Sequence, residues 1–508
     1  MGAISFDFNP TVDRIRFMGS NKSNYRLHPV TGAIAATDGS LAYAMTDANA
    51  ASSPEIGAGA YMNSYIASTA TTLINYDTKL NIFTTQNPPN NGTQNTIGAS
   101  GIMVNPTDPS VGLDIYFDPM LSKNQLYFVA NTGTSLNDDL FSVDNTTGVA
   151  TMIGSTGMAL RDIAVQITRT VPALVGDLVY ALTSNNWLVS FDATNPSVIR
   201  TSVPVTGVTA GQVLSGMDFR PATGELFALG YVAATGEARL YTIRTNTAVA
   251  TAVGATTFNL ATNLGKIGMD FNPVVDRIRV TSSSNANYRL NPNTGAIAAT
   301  DLSLNFNAAD ANAGKNPSVG ASAYLNSFAG TTATTLFNYD DSLNVLLTQT
   351  PPNDGKLNTV GSSGITVNLA DPTSDLDIFY DKTAAANRAY FIANVGTSSF
   401  DNLYSMNTTT GAAMLVGKIG NGSALVDVAV YNAPRVTLIL PATCLRIPSL
   451  TSINEMPIGA LTALLISTRA FLGTQQYLPI KIAATTRASN KGMRRFIIVK
   501  FNYERMKN

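Results

Sequence analysis

The chain matches itself. Displaced by 263 residues, Asp7-Phe8-Asn9-Pro10 falls on Asp270-Phe271-Asn272-Pro273, and Val12-Asp13-Arg14-Ile15-Arg16 falls on Val275-Asp276-Arg277-Ile278-Arg279. From residue 4 to residue 50 there are 30 identities in 47 positions without a gap, and the register continues through Pro88-Pro89-Asn90 against Pro351-Pro352-Asn353 to Gly154 against Gly417. A duplication this long makes the fold a repeat of one unit. Two full units need about 526 residues, whereas composition changes sharply after Arg435. The counterpart of residues 177–263 is missing from the first copy. The division expected is therefore a partial unit at 1–168, a linker at 169–176, a whole unit at 177–435 and a basic tail at 436–508. An open first copy predicts exposed apolar faces and strand edges, as in a truncated reading frame.

Within the unit, short runs of Val, Ile, Leu, Tyr and Phe alternate with Asn, Asp, Gly, Pro and Thr clusters every 8–12 residues, and no 3.6-residue apolar period is sustained. This predicts an all-β chain. Innermost strands are expected to start near 216, 267, 319, 364 and 425, followed by hairpins whose Thr-Gly turns use glycine at positive φ. Spacings of 51, 52, 45 and 61 suit four-stranded blades. The expected architecture is a tandem β-propeller, with about five blades in the complete copy and about three in the first. Six blades stay open, because the 364–425 interval is long. Leu425–Tyr431 is expected to join Leu178–Leu182, Trp187–Phe191 and Val198–Val205 in one sheet, and Leu160–Val165 to form an orphan innermost strand.

Composition excludes much chemistry. With 1 His and 1 Cys, Ser-His-Asp hydrolysis, Cys-His catalysis, His-ligated zinc and disulfide frameworks are nearly all ruled out. The net charge of −1 conceals a body of 22 basic and 31 acidic groups and a tail of ten basic and two acidic ones. An acidic, Lys-poor, cysteine-free body suits an exported protein, and no nucleic-acid partner is expected. Met1–Asp7 has no basic start and no apolar run, so it does not read as a secretory leader. Ile458–Leu472 is too short and carries Arg469, so no transmembrane segment is expected.

The ordered motifs Gly216–Gly230, Asp270-Phe271-Asn272-Pro273 with Asp276–Val280, Asp310–Pro317 and Pro351–Gly355 resemble the bacterial domain-of-unknown-function family numbered 4394. The resemblance covers 177–435 as one whole domain and 1–168 as a partial one. It implies a propeller-like, exported or cell-surface protein and brings no catalytic residues with it.

Candidate sites are few. Arg277 and Arg279 alternate with Ile278 and Val280 along a strand, so the two arginines share a face; with Arg289 they could hold a carboxylate, sulfate or uronic sugar. The competing reading is an ion-pair ladder with Asp270, Asp276 and Asp301. Asp310, Asn312, Asp340 and Asp341 are oxygen donors that could take calcium, although their spacing fits no calcium loop. His28 reads as a turn residue before Pro29, Trp187 as packing, and Cys444 lacks a base. Lys491–Lys500 reads as appended basic sequence. The leading expectation is a binding or scaffold module for glycan or peptide, with no catalytic residue and no committed cofactor. The alternatives are a hydrolase or lyase using carboxylates and Arg, and a purely structural repeat of a surface protein. A deep pocket of converging acids with shifted pKa values would mark the enzyme, and a shallow face the binder.

Overall fold

Alternation at period two builds sheets with two chemically distinct faces, and the innermost strand Ile267–Asn272 shows how. Ile267, Met269 and Phe271 point one way, into a core shared with Phe227, Leu229 and Tyr231 of the preceding sheet. Gly268 and Asp270 point the other way, toward the next sheet. A Cβ at Gly268 would lie 2.7 Å from the Ser322 backbone nitrogen, so only glycine permits this approach.

The computed structural model describes residues 3–119, 121–167, 171, 173–431, 481–485 and 498–502. It is all-β. In the second copy, four sheets start from the innermost strands Val213–Phe219, Ile267–Asn272, Val319–Tyr324 and Asp375–Asp381, each followed by antiparallel hairpins. A fifth contains Leu178–Thr183, Trp187–Asp192 and Asn195–Pro204, and its innermost strand is Leu425–Val430, from the other end of the copy. The pairing runs Val179 with Val430 and Ala181 with Val428. Each innermost strand packs beside two others, in the order 213–219, 267–272, 319–324, 375–381, 425–430 and back to 213–219.

Two expectations need correction. The fourth innermost strand is Asp375–Asp381 and does not start near 364; around 364 only Val367 forms a bridge, to Val395. With that correction the starts 213, 267, 319, 375 and 425 are nearly even, and the last interval holds a single four-stranded sheet. Leu160–Val165 is not a strand. It lies beside Val111–Asp118 with its Val165 amide on Asp114, and it has no outer hairpin to pair with. The Thr-Gly turns form as expected, with Gly224, Gly295 and Gly411 at φ 75°, 70° and 81°.

The first copy forms three sheets, with innermost strands Ile4–Asn9, Ile56–Tyr61 and Val111–Asp118. Ile4, Phe6 and Phe8 occupy the positions of Ile267, Met269 and Phe271 but are 44, 45 and 54% exposed, against 1, 3 and 0% in the second copy. The expected bare apolar face is there. The loop around Ala67 packs into the second copy's core with Val179 and Phe191, and the Asn185 side chain donates to the Thr11 carbonyl at 2.7 Å. Met1–Pro434 is one compact unit and Arg435–Asn508 another. In the latter, Lys481–Thr485 pairs antiparallel with Ile498–Asn502, while Cys444 and Ile458–Leu472 lie outside the described residues. Among the described residues no helix is long and apolar enough to cross a membrane.

The repeat supplies a paired test of burial. Phe271→Ala should lower unfolding stability by about 3–5 kcal/mol, whereas Phe8→Ala should change it by less than about 1 kcal/mol. Denaturant titration of the two variants, monitored by intrinsic fluorescence, checks this.

Candidate functional site

Asp218, Asp270, Asp375, Asp377 and Asp427 lie on four innermost strands, and all are 0–5% exposed. Four of them share a device, in which a carboxylate on one innermost strand accepts a backbone N–H from the next. Asp218 accepts from Phe271 at 2.8 Å and Asp270 from Tyr324 at 3.2 Å; Asp375 and Asp377 accept from Val428 and Val430 at 2.9 and 2.6 Å. These bonds tie neighbouring sheets together where no ladder of strand pairing does. The geometry also makes the acids converge, and one carboxylate oxygen from each of Asp218, Asp270 and Asp377 lies within 4.8 Å of the other two.

Burial in this chamber pushes every one of these carboxyls above the usual range. Asp375 rises to about 7 and Asp377 to about 6, in both cases chiefly because the charged form is desolvated. Asp218, Asp270 and Asp427 are driven well up by the same burial, reinforced by the charge of neighbouring acids: Asp377 and Asp375 on Asp218, Asp218, Asp377 and Asp375 on Asp270, and Asp375 and Asp218 on Asp427. Lys266 stands at the start of the Ile267 strand, its ammonium donating to the Val426 carbonyl, and offsets part of the push on Asp375 and Asp427. Asp341 and Asp401 also rise to about 7, by burial.

Around Lys266 an open cavity of about 320 Å³ is lined by Asp371, Thr373, Phe400 and Val426 and, from the first copy, by Thr69. None of the five axial acids lines it.

The arginines expected to face a ligand do not share an open surface. Arg279 is 2% exposed. Its guanidinium donates to Tyr324 at 3.2 Å, Asn287 at 2.7 Å, Asp301 at 2.6 Å and Asn353 at 2.9 Å, joining two sheets and two loops. Arg289 forms a fork on the same Asp301, with both bonds at 2.8 Å, and Arg277 donates to the Asp276 carbonyl. The ladder reading thus holds for Asp301, whereas Asp276 pairs with Arg220 of the neighbouring sheet and Asp270 forms no ion pair among the described residues. The first copy repeats the network at Arg16, Arg26 and Asp38.

The calcium candidates are separated. Asp310 caps a turn and accepts from Asn312 and Thr359, and the Asn312 side chain donates to Thr359. Asp340 is satisfied by Ser318, Ser342 and Leu343. Asp341 is buried, bonded by Ser374 through one oxygen, and its other oxygen has no partner. His28 accepts from the Val30 amide inside its turn, and Trp187 packs half-buried on the core.

Sequence reasoning missed the axial acids. The Asp-Phe-(Arg/Asn)-Pro motif contains Asp218 and Asp270, but spacing along the chain does not say that residues 53 apart in sequence touch.

The family model for the domain of unknown function DUF4394 matches residues 1–164 and 187–429, and the chain belongs to that family. No curated protein matches in sequence. Solved structures with some likeness include a putative 6-phosphogluconolactonase from Bacteroides uniformis, at 14% identity over 73% of this chain and 97% of that one, with a TM-score of 0.26. A nidogen/laminin complex aligns at 10% identity over 50% of this chain and 98% of that one, with a TM-score of 0.29. A fucose-specific lectin from Aleuria aurantia aligns at 10% identity over 72 and 95%, with a TM-score of 0.23.

Acids whose folded-state pKa is raised stabilise the fold fully only below their ordinary value of 3.8, and that contribution is lost as pH rises through the folded values of about 6 to 7. The melting temperature in chelator should therefore fall between pH 5 and pH 8, roughly, and Asp377→Asn should reduce the fall. Arg279→Ala should cost about 3–5 kcal/mol by leaving Asp301, Asn287 and Asn353 short of a donor, against at most about 1 kcal/mol for the more exposed Arg289→Ala. Thermal and denaturant melts of these variants measure both effects.

Proposed function

We propose that residues 177–431 close into a five-bladed β-propeller, and that the protein is an exported or cell-surface binding module taking a glycan at the mouth of the ring. The closed ring is supported by the five sheets of this copy and by the sharing of one sheet between its two ends. Export is supported only by the acidic, cysteine-poor body.

The observation that carries the binding reading is the separation of cavity from acids. The converging carboxyls with raised pKa values are buried and line no part of the cavity, so a substrate there meets none of them. What it meets suits a sugar. The Phe400 ring offers a flat apolar surface, and the Thr69 and Thr373 hydroxyls, the Asp371 carboxylate and Ser399 offer partners for ring hydroxyls.

A glycan array probed with the whole chain tests this reading. Binding to a defined set of glycans is expected, weakened at least about tenfold, or about 1.4 kcal/mol, by Phe400→Ala and by Asp371→Ala with the melting temperature unchanged. Failure to bind any glycan, or binding that both variants leave intact, would remove the proposal.

A further inference from the structure

We propose that the axis of the second copy holds one hard divalent cation, calcium in preference to magnesium, between the carboxylates of Asp218, Asp270 and Asp377. The site is separate from the glycan at the mouth and does not depend on it.

Three observations carry the inference. The first is spacing. Oxygens from the three residues lie within 4.8 Å of one another, which leaves room for a common centre at about 2.3–2.6 Å, the calcium–oxygen range, while magnesium, which sheds its waters reluctantly, suits a buried all-protein site less well.

The second is the state of the neighbouring acids. Asp427 is 0% exposed and neither of its oxygens has a hydrogen-bond partner of ordinary geometry, the Met217 backbone N–H lowering its pKa from nearby. Asp375 likewise keeps one oxygen unpartnered. Asp427 lies within electrostatic reach of both Asp375 and Asp218. A buried carboxylate without a donor is costly unless a cation or a proton answers it.

The third is charge. Among the described residues none of the ion pairs includes Asp218, Asp270, Asp375, Asp377 or Asp427. Lys266, whose ammonium offsets part of the push on Asp375 and Asp427, is bonded to the Val426 carbonyl. The donors are all oxygen, without imidazole or thiolate, which selects hard cations over zinc or copper.

The first copy is a built-in control. Asp7 and Asp114 stand where Asp270 and Asp377 stand, but Ala164 replaces Asp427 and Gly112 replaces Asp375. One cation per chain is therefore expected.

The test uses the full chain, stripped with chelator and then titrated with CaCl₂, MgCl₂ and MnCl₂ by calorimetry and by thermal melting, with bound metal counted by mass spectrometry. The proposal expects one calcium per chain, a rise in melting temperature with calcium, and weaker binding of magnesium. Asp270→Asn and Asp377→Asn keep an acceptor oxygen for the Tyr324 and Val430 amides, so the ties between sheets survive while calcium affinity falls at least tenfold. Asp310→Asn and Asp7→Asn should leave it unchanged. Absence of bound metal together with no thermal shift at millimolar concentrations in the unaltered chain would overturn the proposal, and that measurement stands even if a variant does not fold. Equal affinity in Asp270→Asn and in the unaltered chain would also overturn it, by assigning the metal to another place.

Discussion

Three junctions between neighbouring sheets of the second copy depend on one contact, in which a carboxylate on an innermost strand accepts the backbone amide of its neighbour. Strand pairing holds each sheet together but stops at its innermost edge. That edge would present unpaired amides to the axis, and the aspartates answer them from the next strand over. Asp218 to Phe271, Asp270 to Tyr324 and Asp377 to Val430 are the same solution at three places. The cost is a set of negative charges crowded out of water, which burial alone moves toward the neutral form. Structural ties and a polar chamber are therefore one feature.

The two copies show what that arrangement needs from the rest of the unit. Phe8 and Phe271 have the same neighbours in sequence and the same strand around them, yet one is half exposed and the other wholly buried. The difference lies in whether a preceding sheet is present to cover the face. Local pattern makes the strand; the adjacent sheet supplies the hydrophobic stabilisation.

The all-β class, the four-stranded repeat, the Thr-Gly turns and the shared sheet of Leu425–Val430 with Leu178–Thr183 were legible in the sequence, because each depends on patterns within about ten residues or on the internal repeat. The start of the fourth innermost strand was not. Ile365-Thr366-Val367 is as β-prone as Leu376-Asp377-Ile378, and what separates them is that only the second reaches the axis and pairs with Ala386–Asn394. The arginine pair illustrates the same limit. Alternation put Arg277 and Arg279 on one face, but whether that face met solvent or Tyr324, Asn353 and Asp301 depended on a strand and loops 22 to 74 residues away.

Taken alone, the sequence determined the repeat, the strand period and the near-absence of imidazole and thiol chemistry, since these are properties of residue type and order. Only the tertiary structure decided which polar groups matter. Asp218, Asp270 and Asp377 are unremarkable turn-flanking acids along the chain and a converging, desolvated cluster in space. The reason is that electrostatic and ligand-binding character depend on distance and burial, and both are set by how sheets assemble around an axis that no single stretch of sequence contains.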